Sequence, residues 1–410
     1  MPCRLRPVDT RELVRVTTRP APGRDALPGA CARRPLISPR MTRLLLYAWL
    51  GLFACQAANA AEADGPYVVR DAVGRLEAWS VEVTADGARK RTAPVSTGSK
   101  LAIPAVGSLP GFEVTLRAPA GVAPDVVSAG ARQPLFVVAD THGEYAILAG
   151  MLRKQGVVDE ALRWTFGRGR LVFLGDVFDR GAHQVEILWL IYALEAQARA
   201  AGGAVYLVLG NHEAMALRGD ARYLNPKYRD TSRLLGVEAY ARLFDAGSVL
   251  GQWLRSKPAV LKLDDYLCLH GGISPGLVDR GYTLAQINGT VRAVLAGREP
   301  AAGTDRERAD FLFGESGPLW YRGYFPAESG QAAPSATDLD RVRRHFGVAT
   351  LLVGHTKVPT ITPLYDGRVI AVQVYPREDA FGNPIFEALL VRDGARLRAW
   401  PDGRTEPLLP

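Results

Sequence analysis

Short apolar runs that stop abruptly at a polar residue recur through the middle of the chain. "PLFVVAD" leads into an amphipathic segment over Tyr145–Gln155, "RLVFLGD" is followed by "HQVEILWLIYALEAQARA", and "AVYLVLGN" is followed by "HEAMALRGD". Two later runs, "DYLCLHGG" and "ATLLVGHT", have the same form. Apolar runs that alternate with helical periodicity predict strands and helices in alternation, and therefore an α/β domain.

The pattern differs on either side of this region. "RLEAWSVEV", "KLAIPAV" and "FEVTLRAP" alternate and are separated by Gly, Pro and Asp, which predicts short strands. Near the end, "IFEALLV" and "RLRAWP" flank Asp393-Gly394, a hairpin turn signal. We expect a small β-rich appendage over 61–130, a principal domain over 131–375, and C-terminal strands over 376–410 that complete its second sheet.

Composition is that of an ordinary globular protein, with 48% hydrophobic and 22% charged residues among 410. The formal charge of +8 is unevenly distributed. Residues 1–60 hold ten arginines against three acids, a net +7, which leaves +1 for the other 350 residues. The body of the protein is nearly neutral, so the basic-patch argument for nucleic-acid binding fails.

The first sixty residues contain a secretory pattern. Met41-Thr42-Arg43 is a short positive start, Leu44–Cys55 is apolar, and Ala58–Ala60 is an Ala-x-Ala cleavage site. We expect a signal peptide over 41–60, a start at Met41, and residues 1–40 to be a non-native upstream or disordered segment. The mature chain would then be periplasmic or secreted, without a stable transmembrane segment. A lipid anchor through Cys55 is the alternative.

Five of the apolar runs end in residues that can bind a metal ion. The ends are Ala139-Asp140-Thr141-His142-Gly143, Gly175-Asp176, Gly210-Asn211-His212-Glu213, His270-Gly271-Gly272 and Gly354-His355-Thr356. Open α/β sheets bind ligands at the carboxyl ends of their strands, so we expect the five ends to converge. Four of the six histidines of the chain lie in them.

Asp, Asn and His side chains suit Mn, Fe or Zn better than an ion that prefers thiolates. Six ligands exceed what one tetrahedral ion takes, whereas two ions that share a carboxylate would use them all. That arrangement is typical of two-metal hydrolysis. We expect two divalent ions, with manganese as the first choice and iron or zinc as alternatives.

Other polar residues are given structural interpretations. Glu213 is interpreted as a first-turn helix acid, and His183 and His345 as surface residues. Cys268, inside an apolar strand, is interpreted as a packing residue. The segment with Tyr223 and Tyr228 is either a lid that contacts substrate or a solvated helical insert.

The ordered motifs "ADTHG", "GDVFDRG", "GNHE", "HGG" and "GHT" resemble the motif series of the PPP phosphoprotein phosphatases, within the calcineurin-like metallophosphoesterases. The resemblance covers roughly residues 135–375. It implies a four-layer α/β (α+β) fold, with a central β-sandwich flanked by helices, and makes 131–375 the catalytic domain.

The resemblance also implies roles. Asp140, His142 and Asp176 would hold one metal, and Asp176 would bridge to a second metal held by Asn211, His270 and His355. His212 resembles the general acid that protonates the leaving oxygen, and Asp179 resembles its orienting partner. Arg180 resembles the phosphate clamp.

Two departures refine the resemblance. Ala139 stands where the family has Gly, and Leu209 stands where the eukaryotic enzymes carry Arg before "GNHE". "GPLWYRGY" (Gly317–Tyr324) resembles the bacterial, Shewanella-like phosphatases. By that similarity Arg322 would be the second phosphate-binding guanidinium.

The leading hypothesis is a metal-dependent phosphatase that hydrolyses phosphate monoesters of proteins or peptides, through direct attack by a hydroxide bridging the two metals. A dinucleoside polyphosphate hydrolase, or another small-molecule phosphoesterase, shares the same metal core and is the alternative among enzymes. The alternative of another class is a catalytically silent binding protein that kept the fold.

Overall fold

Two six-stranded mixed sheets form the centre of the structure, a computed structural model that describes residues 62–119, 121–128, 130, 133–330 and 332–409. The strands are β1 Asp64–Arg70, β2 Leu76–Thr84, β3 Gly87–Pro94, β4 Lys100–Ile103, β5 Phe112–Thr115, β6 Val126–Val127, β7 Leu135–Val138, β8 Arg170–Phe173, β9 Ala204–Leu207, β10 Val260–Leu263, β11 Tyr266–Leu269, β12 Thr350–Val353, β13 Thr362–Leu364, β14 Val369–Ala371, β15 Arg377–Glu378, β16 Pro384–Ile385, β17 Ala388–Arg392, β18 Ala395–Ala399 and β19 Thr405–Pro407.

Sheet I has the order β19-β18-β17-β7-β8-β9. Its strands β7, β8 and β9 are parallel, whereas β17 runs antiparallel to β7. Every residue of β7 and β8 is buried, as strands covered on both faces require. Because β7, β8 and β9 run in one direction, their carboxyl ends lie at one edge.

Sheet II has the order β13-β14-β12-β11-β10-β6. Its strands β11, β12 and β14 are parallel, and β10 forms a hairpin with β11. The chain after β11 and after β12 therefore leaves this sheet at the same edge.

Helices cover the outer faces of the sandwich. They are α1 Tyr145–Lys154, α2 Gln184–Ala200, α3 Asn211–Leu217, α4 Pro226–Leu235, α5 Val249–Arg255, α6 Pro275–Asp279, α7 Leu284–Leu295, α8 Thr304–Phe313, α9 Pro326–Ser329 and α10 Ala336–Phe346, with a 3-10 helix at Tyr240–Phe244. The α4 helix begins where the Asn225 side chain accepts from Lys227 N, with Pro226 at its first position.

The two sheets pack face to face through an apolar layer. Val137 and Val172 of sheet I belong to the same buried cluster as Leu261, Cys268 and Leu352 of sheet II. Burying each aliphatic side chain of this kind contributes roughly 1.5–3 kcal/mol. The packing role predicted for Cys268 is confirmed, because its side chain is fully buried in β11. The predicted mixed α/β sandwich is likewise what the structure contains.

The N-terminal strands pack against the main body. The antiparallel sheet β1-β2-β3 and the β4-β5 pair precede β6, which adds to sheet II through β10. Trp189 of α2 donates a hydrogen bond from its indole N–H to the carbonyl of Pro66 at 2.8 Å. The strands β17, β18 and β19 extend sheet I beyond β7. The division at residues 130 and 375 stays a prediction.

The expected signal peptide, Cys55 and the segment 1–40 lie outside the described residues. Within the described part of the chain, no helix has the length and apolar character to cross a membrane.

Candidate active site

The strand ends of both sheets converge on one buried place. Sheet I supplies residues after β7, β8 and β9, and sheet II supplies residues after β11 and β12. All six predicted metal ligands are at most 5% exposed: Asp140, His142, Asp176, Asn211, His270 and His355. The convergence expected from the apolar runs is therefore what the structure has.

The backbone at these ends is unusual. Six non-glycine residues of the candidate site have a positive φ, between 42° and 70°: Asp140, His142, Asp176, Asp179, Arg180 and His355. Each such conformation costs about 1 kcal/mol or more and clusters of them mark functional sites. Two glycines permit the close approach, because a Cβ on Gly210 would collide with the Asp176 carboxylate and one on Gly354 with the Asp140 carboxylate.

One group of ligands surrounds Asp176 on the side of sheet II. Asp176 Oδ2 lies 3.1 Å from His270 Nε2. The same nitrogen lies 2.9 Å from Asn211 Oδ1 and 3.1 Å from His355 Nδ1. Donor atoms of Asp176, His270 and His355 all lie within 4.8 Å of one another, a spacing that one metal ion can bridge.

A second group shares Asp176 on the side of sheet I. Its Oδ2 lies 3.7 Å from the Nε2 atoms of both His142 and His212. The Asp140 carboxylate lies beside both groups, where it accepts hydrogen bonds from His355 N at 3.1 and 3.2 Å. A carboxylate shared between two ligand groups is what a pair of neighbouring ions requires.

The free nitrogen atoms fit metal ions. Nδ1 of His142 donates to Phe178 O at 2.8 Å and Nδ1 of His270 donates to Leu174 O at 2.7 Å, which leaves each Nε2 facing the site. Nε2 of His142 and of His355 are buried without a hydrogen-bond partner among the described residues. A backbone carbonyl that fixes the ring through Nδ1 is the usual support of a histidine ligand. The oxygen and nitrogen donors match divalent ions.

Without metal, the buried charges perturb one another. Burial raises the pKa of Asp140 to about 7, and the Asp176 carboxylate adds to the rise. Burial lowers the pKa of His142 to about 3. For His270, burial is outweighed by Asp176 and Asp140, which raise its pKa to about 9. His270 therefore carries a proton at neutral pH, and a metal ion has to displace it.

His212 and Asp179 form a tight pair next to these groups. His212 Nδ1 lies 2.5 Å from Asp179 Oδ2, and the His212 side chain is buried. Burial lowers the pKa of His212, but the Asp176 and Asp179 carboxylates outweigh it and raise that pKa above its usual range. An imidazolium held in this way can release a proton from Nε2.

Three cationic side chains lie close to the site residues. Arg322 donates from Nη1 to His355 O at 2.7 Å and to Thr356 Oγ1 at 3.1 Å. Arg180 lies with its guanidinium carbon 5.6 Å from the centre of the Tyr375 ring, and Lys357 Nζ lies 4.6 Å from the same centre. Arg180 and Lys357 are exposed and Arg322 is half-buried, so their positive charges are accessible to an anion.

Three residues at the candidate site are not predicted from the sequence in the roles that the structure gives them: Glu213, Tyr375 and Lys357. Glu213 is fully buried, and its carboxylate accepts hydrogen bonds from the backbone N–H groups of Asp176, Val177 and Gly210 at 2.7–2.8 Å. Its position in "GNHE" was a signal, but helix-dipole reasoning does not predict these bonds to another strand end. Tyr375 and Lys357 carry no signal beyond their proximity in sequence to His355 and the following strands.

The interpretations of Tyr223, His345 and His183 have different outcomes. The ring centre of Tyr223 lies 5.3 Å from that of His212, and Tyr223 O accepts from Arg180 N at 3.1 Å, so this segment contacts the site. His345 is exposed, as predicted. His183 is only half-buried, and its backbone N–H donates to Gly143 O at 3.1 Å.

Fold and site together define a metal-dependent phosphoesterase, and comparison with known proteins gives the family. The model of the calcineurin-like phosphoesterase family matches residues 134–359, more than half of the chain. The chain belongs to this family, and within it to the Shewanella-like, PPP-type phosphatases. It is therefore a hydrolase that acts on phosphoric ester bonds and has a site for divalent metal ions.

Its relatives include solved and curated proteins. The structure of a cold-active protein-tyrosine phosphatase from a psychrophilic Shewanella species is 34% identical, with a TM-score of 0.72 and coverage of 85% of this chain and 100% of that one. Shewanella-like protein phosphatase 2 of Arabidopsis thaliana is 24% identical over 263 residues, 54% of this chain and 66% of the relative. A symmetrical bis(5'-nucleosyl)-tetraphosphatase of Methylococcus capsulatus is 30% identical over 186 residues, 45% of this chain and 57% of the relative.

Proposed function

We propose that the protein removes phosphate from phosphoproteins or phosphopeptides, phosphotyrosine among them, with two divalent ions at the site. One observation carries the proposal: the Asp176 carboxylate lies between His270 on one side and His142 on the other, next to the His212–Asp179 pair. The match to a protein-tyrosine phosphatase over the whole of that chain supports the substrate class.

Each group of side chains at the site has its own role in the proposed reaction. Two divalent ions held by the six predicted ligands would supply a nucleophile from water and neutralise phosphoryl charge. Arg180 and Arg322 bind the phosphoryl oxygens and orient the ester, as planar guanidinium groups do. His212 donates the proton on Nε2 to the leaving oxygen, and Asp179 holds the imidazole through Nδ1 while it does so.

The aromatic side chains beside the site support a phosphotyrosine residue as substrate. The half-exposed Tyr223 and the Tyr375 ring stand beside His212 and His142, at ring-centre distances of 5.3 and 5.8 Å. Aromatic faces next to Arg180 and Lys357 favour an aryl group with an attached anion.

The test is substrate profiling on manganese-loaded protein. We expect higher kcat/KM for a phosphotyrosine or phosphoserine peptide than for a dinucleoside tetraphosphate. Strong preference for the dinucleotide would favour the second candidate, which the relationship to the Methylococcus capsulatus tetraphosphatase supports. Absence of activity on every aryl phosphate would favour the silent binding protein.

Manganese as the native metal and export are parts of the same proposal. Metal analysis of protein purified without added metal distinguishes manganese from iron and zinc. The Ala-x-Ala pattern at Ala58–Ala60 supports export to the periplasm or the medium. N-terminal sequencing of the exported form should begin near Ala61, whereas a blocked Cys55 would indicate a lipid anchor.

A further inference from the structure

A chain of buried hydrogen bonds leads from the N-terminal sheet to the His212–Asp179 pair. Tyr67 OH donates to Asp64 Oδ2 at 2.6 Å and lies 3.0 Å from Tyr240 OH. Gln184 Nε2 donates to Tyr240 OH at 2.8 Å, and Gln184 Oε1 accepts from Asp179 N at 2.7 Å. The four side chains of this hydrogen-bonded series are at most 5% exposed, so water does not compete for these bonds: Asp64, Tyr67, Tyr240 and Gln184.

The acceptor at the far end fixes the direction of every bond. A carboxylate only accepts, so Tyr67 has to donate its single proton to Asp64. Tyr67 oxygen then accepts from Tyr240, whose own oxygen accepts from the Gln184 amide N–H. Burial raises the pKa of both tyrosines well above the ordinary range, so both keep the proton that this order needs.

This order orients the amide of Gln184. Its NH2 group has to face Tyr240, and its oxygen therefore has to face the backbone N–H of Asp179. In the reversed orientation, NH2 would oppose that N–H, and a buried donor would be left without an acceptor. The Asp179 backbone needs such a restraint because its φ is 70° in a non-glycine residue.

Asp64, the first residue of this hydrogen-bonded series, is held in place by two further contacts. Asp64 Oδ1 lies 3.3 Å from Lys227 Nζ, and Asp64 Oδ2 accepts from Thr231 Oγ1 at 2.7 Å. Lys227 Nζ also donates to Ala182 O at 2.8 Å, within the segment that joins Arg180 to α2. The ion pair between Asp64 and Lys227 connects β1 to α4, next to the site.

We propose that Gln184 and Tyr240 are positioning residues, and that Asp64 of the N-terminal sheet acts through them to hold Asp179 where it aligns His212 for proton donation. The inference rests on the proposed function, since it assumes that His212 protonates the leaving group. It makes β1 part of the apparatus that controls proton delivery.

Two buried tyrosines that both contact Gln184 provide a matched pair of variants. Tyr240→Phe removes the hydroxyl that orients the amide. Tyr228→Phe removes a hydroxyl that, among the described residues, accepts a hydrogen bond from the backbone N–H of Gln184 at 2.9 Å and does not contact its side-chain amide. The kcat values for p-nitrophenyl phosphate, whose leaving group departs without a proton, are compared with those for phenyl phosphate, whose leaving group needs one. Gln184→Met serves as a second variant that interrupts the chain.

We expect Tyr240→Phe and Gln184→Met to lower kcat for phenyl phosphate roughly threefold to tenfold, the value of one hydrogen bond, with p-nitrophenyl phosphate changed less than about twofold. Tyr228→Phe should change both substrates equally. The downfield proton resonance of the His212 Nδ1–H should shift in Tyr240→Phe and persist in Tyr228→Phe. This resonance is observable without turnover.

Equal losses on the two substrates in Tyr240→Phe, or an unchanged resonance, would overturn the inference. Failure of the proposed function has a different signature. In that case wild-type protein is inactive, or His212→Ala affects the two aryl phosphates alike, whatever the resonance in Tyr240→Phe does.

Discussion

Replacing Glu213 by Gln tests how the two strand ends are held. Glu213 Oε2 accepts from Asp176 N at 2.8 Å and from Gly210 N at 2.7 Å, while Oε1 accepts from Val177 N at 2.7 Å. Gln has almost the same shape but only one oxygen. Whichever way the amide lies, its NH2 group faces at least one of these backbone N–H groups.

The expected loss of stability can be worked out from the backbone N–H group that is left without an acceptor. A buried N–H without an acceptor costs about 1–3 kcal/mol, and the bonds that remain lose the help of a full negative charge. In the opposite direction, Gln carries no buried charge, and burial raises the pKa of Glu213, which shows that this charge is costly. We expect the donor to dominate, with a net loss of about 2 kcal/mol in the free energy of unfolding.

Urea unfolding of the metal-free protein at pH 7 measures the change, provided that the m-value stays constant. Glu186→Gln is a matched control. Glu186 is also a buried acid in the first turn of a helix, but its nearest partner is His183 Nδ1 at 3.4 Å. This control should lose less than about 1 kcal/mol. A Glu213→Gln protein as stable as wild type would refute the reasoning.

Three further predictions concern the site itself. His212→Ala should lower kcat by ~10²–10⁴-fold with nearly normal metal content, and loss of metal in this variant would mean that its role is misassigned. Asp176→Asn should remove both ions, whereas one ion retained per chain by elemental analysis would contradict bridging. Because the pKa of His270 is raised to about 9, manganese affinity should fall as the pH drops below that value, with proton release on binding. Calorimetry in buffers of different ionisation enthalpy counts the protons, and none released at pH 7.5 would contradict the prediction.

The sequence was sufficient for the strands and for the convergence of their ends. "LVFLGD" and "DYLCLHGG" each combine an apolar run with a glycine and a residue that can bind metal. The apolar run predicts a buried strand, the glycine predicts a turn at its end, and the polar side chain predicts a ligand there. The parallel register of β7 and β8 brings the ends at Asp140 and Asp176 together, whereas His270 follows a strand of sheet II and meets Asp176 because the two sheets pack face to face.

Other features depend on long-range packing, which local patterns do not encode. Asp64 is an ordinary strand-start acid in sequence, yet it is buried against Lys227 from a distant helix. Glu213 has the spacing of a helix-capping acid, but its carboxylate binds the backbone of the turn after β8. Tyr375 approaches His142 only because β14 leads the chain back across the site. The metal and substrate roles of the site residues stay predictions.

The origin of the ligands in two different sheets has a mechanical consequence. Asp140, Asp176 and Asn211 follow strands of sheet I, whereas His270 and His355 follow strands of sheet II. Ions bound by all five residues would crosslink the two sheets and would oppose movement of one sheet relative to the other. Removal of the ions by a chelator would then lower the stability of the whole sandwich. The melting temperature would report occupancy of the metal site even in a variant without catalytic activity.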